Sequence, residues 1–107
     1  MNFVDLHTHS TVSDGTLSPE EVVALAASEG LKAVALTDHD AIDGISRART
    51  TASALDVELI PGIEVSCVLD GTEIHILGFF ADETDEKLSD GLAGFRRIRD
   101  SRNEDML

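Results

Sequence analysis

Two histidines placed two residues apart are the first candidates for chemistry in this chain. His7 and His9 end the apolar, β-prone segment 3–9, after which small and polar residues run from Ser10 to Gly15. Side chains in a strand alternate between faces, so the two imidazoles point the same way and can share a metal ion. Such a pair alone is more often a pair of surface or core histidines. Its position at the C-terminal end of a strand, where parallel α/β folds carry their chemistry, favours a functional role.

The other two histidines of the chain occupy similar places. His39 follows the apolar run 32–37, and His75 lies within the run 73–80. Four carboxylates accompany the histidines: Asp14, Asp38, Asp40 and Glu64. Imidazole with carboxylate is the ligand mixture that suits Zn, Mn or Fe, and a carboxylate can bridge two ions. Each residue taken singly favours an ordinary structural role, but the joint pattern favours a metal centre.

These side chains need strands and helices that bring them to one place. The strand-like runs cover 3–9, 32–37, 57–60, 63–68 and 73–80, and the helix-like segments cover 19–29, 42–55 and 84–107. Ser18 and Glu21 predict a capping box at the start of the first helix. Pro61-Gly62 separates two of the strand-like runs, and Asp70-Gly71 predicts a hairpin turn. The alternation of the two kinds of segment predicts an α/β fold.

The composition restricts the partners of the protein. Its 107 residues, enough for one domain, include 21 Asp and Glu against 8 Lys and Arg, which gives a net charge of -13. That charge repels polyanions, so we expect neither duplex nucleic acid nor a membrane as a partner. Cys67 is the only cysteine, and no run approaches 18 apolar residues, which favours a soluble protein of the reducing cytoplasm.

Positive charge is concentrated late in the chain, at Arg96, Arg97, Arg99 and Arg102. Arg99 and Arg102 share the apolar stripe of the last predicted helix, whereas Arg97 lies on the opposite face. Two interpretations stay open for the inward pair. The arginine stems cover apolar surface while the charged heads reach water, or the guanidinium groups bind an anion.

Five motifs in a fixed order carry a resemblance to a known family: Asp5 to Ser10, Ser13 to Gly15, Leu36 to Asp40, Pro61 to Ser66 and Ile74 to Gly78. Together they resemble the PHP (polymerase and histidinol phosphatase) family of metal-dependent phosphoesterases. The likeness is greatest to the branch of nucleoside 3',5'-bisphosphate phosphatases and the related 5'-to-3' exoribonuclease. It implies a distorted (β/α)7 barrel, of which this chain would supply about four strands and a C-terminal helix.

The resemblance also implies roles for single residues. It implies that His7 and His9 hold one ion, that Glu64 bridges it to a second ion held by His75, and that Asp14 and His39 hold a third. His39 and Asp40 become the candidate catalytic residues, and Asp40 would also contact the substrate. Asp38 has two open readings, as a residue that orients His39 or a neighbouring ligand and as a plain cap of the strand end.

The arginine-rich helix resembles the segment of the family that contacts phosphate. The resemblance therefore implies that Arg99, Arg102 and Asn103 bind the substrate. The implied cofactors are two or three divalent ions (Mn, Zn or Fe), and the implied activity is hydrolysis of a phosphomonoester or phosphodiester by water that the ions activate. The substrate would be a small phosphorylated molecule such as a nucleotide or nucleoside bisphosphate.

The later metal-binding motifs of the family, a further histidine and a D-x-H pair, have no counterpart after His75. We therefore expect residues 1–107 to form a single PHP domain truncated at its C-terminus, with an incomplete site. The alternative function is a catalytically incomplete metal-binding or self-association module made of a PHP fragment. In that case exposed strand edges would pair with a partner chain, a second copy included.

Overall fold

Four strands lie in one sheet, in the order in which they occur in the chain. The structure, a computed structural model, describes residues 3–105, without the side chains of residues 95 and 98–105. Its elements are β1 (Phe3–Thr8), α1 (Pro19–Ser28), β2 (Leu31–Leu36), α2 (Ile45–Leu55), β3 (Glu58–Leu69), β4 (Thr72–Phe79) and α3 (Glu86–Asp105). The predicted α/β class, with about four strands and a C-terminal helix, is confirmed.

The sheet changes its pairing mode part of the way along β3. β1 pairs with β2 and β2 pairs with β3 in parallel, whereas β3 and β4 form an antiparallel hairpin. The start of β3, from Glu58 to Pro61, pairs with β2, and the remainder, from Gly62 to Leu69, pairs with β4. The hairpin turns at Asp70 and Gly71, as predicted, with both residues at positive φ.

The predicted break at Pro61-Gly62 is wrong, because β3 runs through both residues. Pro61 lies opposite Leu36 at the end of the parallel ladder, and its carbonyl accepts a hydrogen bond from the Ala81 amide at 3.1 Å. A Cβ at Gly62 would lie 2.8 Å from Thr37 Cγ2 and 3.0 Å from the carbonyl oxygen of Gly78. The dipeptide therefore marks a change of partner strand and a close approach of backbones, where a sequence pattern shows only two typical turn residues.

The core lies between the middle of the sheet and the first two helices. β2 is buried from Ala33 to Leu36, as expected for a central strand that is covered on both faces. α1 and α2 supply Val23, Ala26, Ile45 and Ala48, and α3 adds Leu92, which is 2% exposed. This packing holds the C-terminal ends of β1 and β2 beside the middle of β3.

Local signals set the helix ends. The predicted capping box is present, because the Glu21 amide donates to Ser18 Oγ at 3.1 Å and the Ser18 amide donates to Glu21 Oε1 at 3.0 Å. α2 begins at Ile45, three residues later than predicted. Gly44 precedes it, where a Cβ would lie 2.8 Å from Pro19 Cγ. None of the helices in the described residues 3–105 is long and apolar enough to cross a membrane.

We predict that Ser18→Ala lowers the free energy of unfolding by about 1 kcal/mol, because it removes the side-chain acceptor of the α1 N-terminus. Urea denaturation followed by circular dichroism measures the change. Thr50→Ala is the control, since this exposed threonine bonds only to a carbonyl within its own helix, Ser46, in the contacts described. The control should stay within about 0.5 kcal/mol of the unmodified chain. An equal loss in the two variants would contradict the capping assignment.

Candidate metal centre

Glu64 lies at the centre of the four histidines. Its side chain is 7% exposed. Its Oε1 lies 2.9 Å from His7 Nε2 and 2.7 Å from His9 Nε2, and its Oε2 lies 3.0 Å from His75 Nδ1. His39 Nε2 is 3.7 Å from Oε1. One buried carboxylate is therefore close to every histidine of the chain.

Asp14 adds a second carboxylate to this cluster. Its Oδ1 lies 2.5 Å from His9 Nδ1, and its Oδ2 lies 3.2 Å from His39 Nε2. The six candidate ligands form three overlapping triads: His7, His9 and Glu64; His9, Asp14 and His39; and His39, Glu64 and His75. Within each triad the possible ligand atoms all lie within 4.8 Å of one another. The structure thus brings together all six residues that the resemblance assigns to metal ligation.

The donor set fits divalent metal ions. Ligand atoms held about 2.0 to 2.2 Å from an ion lie roughly 3 to 3.5 Å from one another, and most distances in this cluster fall near that range. The Nε2 atoms of His7 and His9 face each other at 3.2 Å. A neutral imidazole has one donor and one acceptor nitrogen. Two acceptor nitrogens that face each other and the same carboxylate oxygen suit a cation bound between them.

The pairing of the strands determines which side chains meet. His7 lies in β1, and His9 and His39 follow β1 and β2. Glu64 lies in β3, and its amide donates to the carbonyl of Asp38 at 3.1 Å. His75 of β4 is paired with Ser66, two residues beyond Glu64, so both side chains project from the same face of the hairpin.

A second buried carboxylate, Asp38, holds the loop between β1 and α1. Asp38 is 1% exposed. Its carboxylate accepts hydrogen bonds from the Ser10 amide at 2.6 Å, from Ser10 Oγ at 2.8 Å and from Ser13 Oγ at 2.8 Å. Ser10 and Ser13 neighbour His9 and Asp14, so these bonds position two candidate ligands. Both serines lie at the ends of motifs that carry the family resemblance and stand directly beside a candidate ligand, but the sequence patterns gave neither of them a role.

The cluster changes the pKa values of its own acids and bases. Burial opposes ionisation of Glu64, but hydrogen bonds from His7 and His75 outweigh it and lower the pKa of that carboxyl. Burial also opposes ionisation of Asp14, and the hydrogen bond and charges of His9 and His39 lower its pKa. The hydrogen bond to Glu64 raises the pKa of His75, against a smaller effect of burial. The cluster therefore attracts positive charge, as protons or as metal ions.

A cavity of about 330 Å³ adjoins the cluster, lined by Val12, Ser13, Asp14, His39, Ser66, Glu73 and His75. Asp40, predicted to contact the substrate, is 1% exposed, and its Oδ1 accepts a hydrogen bond from the Ser66 amide at 3.0 Å. The side chains of Arg99, Arg102 and Asn103 lie outside the described part of the chain, so their substrate contacts stay predictions.

The sequence patterns counted Arg96 only as one of four clustered arginines and gave it no role. This half-buried residue donates from Nη1 to the carbonyl oxygen of Asp40 at 2.6 Å. Its neighbour Arg97 is exposed, as the helix stripe predicts. The signal that could have found Arg96 is its spacing of four residues from Leu92, which is buried in the core.

Comparisons with known proteins agree with this geometry. A family model described as "PHP domain" matches residues 5–99, a range that contains all six candidate ligands. The chain is 44% identical over 98 residues to a 5'-3' exoribonuclease of Haemophilus influenzae, and the match covers 92% of this chain and 36% of that protein. It is 38% identical over 101 residues to a 3',5'-nucleoside bisphosphate phosphatase of Chromobacterium violaceum, with 94% and 34% covered.

The fold has a close counterpart among solved structures. An amidohydrolase from Chromobacterium violaceum, with bound sulfate and no metal, superimposes with a TM-score of 0.88 at 37% identity. The superposition covers 96% of this chain and 36% of that chain. This chain therefore spans about a third of the length of the curated relatives and the solved structure that it matches.

We predict that the purified chain binds at least one divalent transition metal ion and that Glu64→Gln weakens this binding by at least about tenfold. Glu64 belongs to two of the three triads, and the loss of groups around a metal commonly costs about 10 to 100-fold in affinity. Elemental analysis of chelator-treated protein reloaded with Mn²⁺ or Zn²⁺ measures the content. Glu58→Gln, at an exposed position of the same strand, should bind as the unmodified chain does. A metal content near zero with both ions would contradict the assignment.

We also predict that His75 in the metal-free protein titrates above the ordinary histidine value of 6.5, because the adjacent Glu64 and Glu73 stabilise its protonated form. Protons compete with metal for this imidazole, so metal binding should weaken as the pH falls through the raised pKa. NMR titration of the imidazole signals measures the pKa. Glu73→Gln should move it downward, and a His75 pKa at or below 6.5 in the unmodified chain would refute the prediction.

Proposed function

Because this chain belongs to the PHP domain family, we propose that it holds divalent metal ions and takes part in the hydrolysis of a phosphomonoester or phosphodiester of a nucleotide-like substrate. The family resemblance read from the five ordered motifs is confirmed. Relatives are named as an exoribonuclease and as a nucleoside bisphosphate phosphatase, which supports phosphoester chemistry in general. Since the chain spans about a third of their length, the activity and substrates of the whole protein are part of the proposal.

The observation that carries this proposal is the convergence of four histidines on the carboxylates of Glu64 and Asp14. Three triads share members, so neighbouring ions would share ligands, as a bridging carboxylate allows. In the proposal His7 and His9 would hold one ion, Glu64 would be shared between it and an ion held by His75, and Asp14 with His39 would hold a third. When bound, such ions activate water and stabilise the negative charge that develops on a phosphoryl group.

The charge of the cavity supports a role for metal ions in substrate binding. Among the described residues that line it, none is lysine or arginine, whereas Asp14 and Glu73 are acidic. A phosphate would be repelled by these carboxylates and by a chain of net charge -13. Divalent ions reverse the local sign of charge, so we propose that they supply the first attraction for the phosphate.

We propose the remaining roles for residues beside the metal cluster and in α3. His39 and Asp40 are the proposed catalytic residues, with the buried Asp40 holding the end of the loop after β2. Arg99, Arg102 and Asn103 are the proposed substrate contacts, because guanidinium groups pair with phosphate through two parallel hydrogen bonds. Residues 1–107 would then form the N-terminal part of a single PHP domain, with further ligands in a segment such as the longer relatives contain.

We propose Mn, Zn or Fe as the ions and the cytoplasm as the location of the protein. Imidazole and carboxylate ligands suit Mn, Zn or Fe, two or three of which the overlapping triads would hold. The free Cys67 supports a cytoplasmic location, and the net charge of -13 opposes a membrane or duplex nucleic acid partner.

A second candidate function has its own observation. Phe3, Val4 and Leu6 of the edge strand β1 are 55%, 54% and 44% exposed, and Ile76 of β4 is 53% exposed. Strand edges with apolar side chains are templates for another chain. A metal-binding module that self-associates through these edges is therefore the alternative to an enzyme. Light scattering distinguishes it, because this alternative requires a dimer or larger species at micromolar concentration.

We predict that the Mn²⁺-loaded chain releases phosphate from adenosine 3',5'-bisphosphate, and that the rate is at least about tenfold below that of a chimera extended with the remaining chain of the Haemophilus influenzae relative. Each absent ligand or outer partner commonly costs about 10 to 100-fold in metal affinity or activity. A colorimetric phosphate assay measures both proteins.

Glu64→Gln should abolish phosphate release in both proteins, and Glu58→Gln should leave it unchanged. Equal rates for the chain and the chimera would show that the 107 residues suffice. If neither protein released phosphate while elemental analysis found bound metal, the enzymatic function would be wrong and the binding module would stand.

A further inference from the structure

Arg96 connects α3 to the loop that follows β2. Its Nη1 donates to the carbonyl oxygen of Asp40 at 2.6 Å, and the residue is half-buried. Leu92, one helical turn earlier, is 2% exposed within the core cluster. Residues four apart lie on the same face of a helix. The docking of Leu92 in the core therefore sets the position from which Arg96 reaches the loop.

The loop that receives this hydrogen bond has an uncommon backbone conformation. Asp40 has a φ of 49°, in the left-handed region that residues other than glycine seldom adopt. Its amide donates to the carbonyl of Glu64 at 2.9 Å, and its Oδ1 accepts from the Ser66 amide at 3.0 Å. Together with Arg96, these contacts hold Asp40 from β3 on one side and from α3 on the other.

Asp40 directly follows His39, so contacts that fix the Asp40 backbone also limit movement of the His39 backbone. His39 Nε2 lies 3.2 Å from Asp14 Oδ2 and 3.7 Å from Glu64 Oε1. The contact to Glu64 is the longest that any of the four histidines makes with that carboxylate. His39 belongs to two of the three triads, so a displacement of the loop that carries it would disturb both.

We propose that Arg96 is a positioning residue for the metal centre. It stabilises the left-handed Asp40 and thereby keeps His39 within ligand distance of Asp14 and Glu64. Uncommon backbone conformations persist where the surrounding structure over-determines them, and here the helix supplies one of the contacts. The proposal rests on the proposed metal-binding function, and it links the docking of α3 to the completeness of the cluster. It also gives Arg96 a different task from that of an anion-binding arginine.

The test uses Arg96→Met, Arg96→Lys and the matched control Arg97→Met in the full chain. Methionine keeps an apolar stem and removes the donor, lysine keeps one donor without the planar fork, and Arg97 is exposed on the same helix. Calorimetry measures Mn²⁺ and Zn²⁺ affinity, and NMR of the metal-free protein measures the imidazole signals of His39. Arg96→Met should weaken metal binding by about 10 to 100-fold and shift the His39 signals. Arg96→Lys should recover part of both, and Arg97→Met should match the unmodified chain.

The two readouts separate this proposal from the proposed function. If the unmodified chain bound no metal, the proposed function would fail, and the His39 signals would still decide the positioning role. Equal His39 signals in Arg96→Met and Arg97→Met would overturn that role. If metal bound equally well to both variants, it would be overturned as well.

If Arg96→Met does not fold, a measurement on the unmodified chain tests the proposal instead. The guanidinium protons of Arg96 should exchange with water more slowly than those of Arg97, since only the former are held by a buried carbonyl in the described structure. Slower exchange would support the positioning role, and equal exchange of the two side chains would overturn it.

Discussion

The rest of this structure depends on one buried carboxylate, that of Glu64. Its removal from water would be costly without partners, and the partners are imidazoles from β1, from the loops after β1 and β2, and from β4. The backbone of Glu64 also holds the loop after β2, because its amide donates to the carbonyl of Asp38 and its carbonyl accepts from the amide of Asp40. One residue thus joins the sheet to the site through both its main chain and its side chain.

A second buried acid, Asp38, has a different environment and a different task. Glu64 faces ring nitrogens that can exchange a proton for a metal ion, whereas Asp38 accepts three hydrogen bonds from neutral donors of Ser10 and Ser13. Those bonds satisfy a carboxylate that is 1% exposed and leave little reason for it to bind a cation. Of the two readings of Asp38 that the sequence left open, the structure favours a residue that positions neighbouring ligands, through the loop of His9 and Asp14.

The pairing change within β3 explains how a short sheet collects so many ligands. Parallel pairing with β2 brings the ends of β1 and β2 level with Glu64, and antiparallel pairing with β4 returns the chain so that His75 reaches the same carboxylate. Pro61 and Gly62 lie at the junction, where a missing amide and a missing side chain cause least loss. The pattern of Pro followed by Gly predicted a break, because local rules cannot distinguish a turn from a change of partner.

Local chemistry in the sequence was enough to predict the α/β class, the capping box of Ser18, the hairpin turn at Asp70-Gly71 and the placement of all four histidines in or after strands. These features depend on residues a few positions apart, where propensity and periodicity act. Only the tertiary structure decided which nitrogen faces which oxygen, that Ser10 and Ser13 hold Asp38, and that Arg96 reaches the carbonyl of Asp40. His7 and Glu64 are 57 positions apart, and their contact depends on the register of the strands between them and on the rotamers that the core allows.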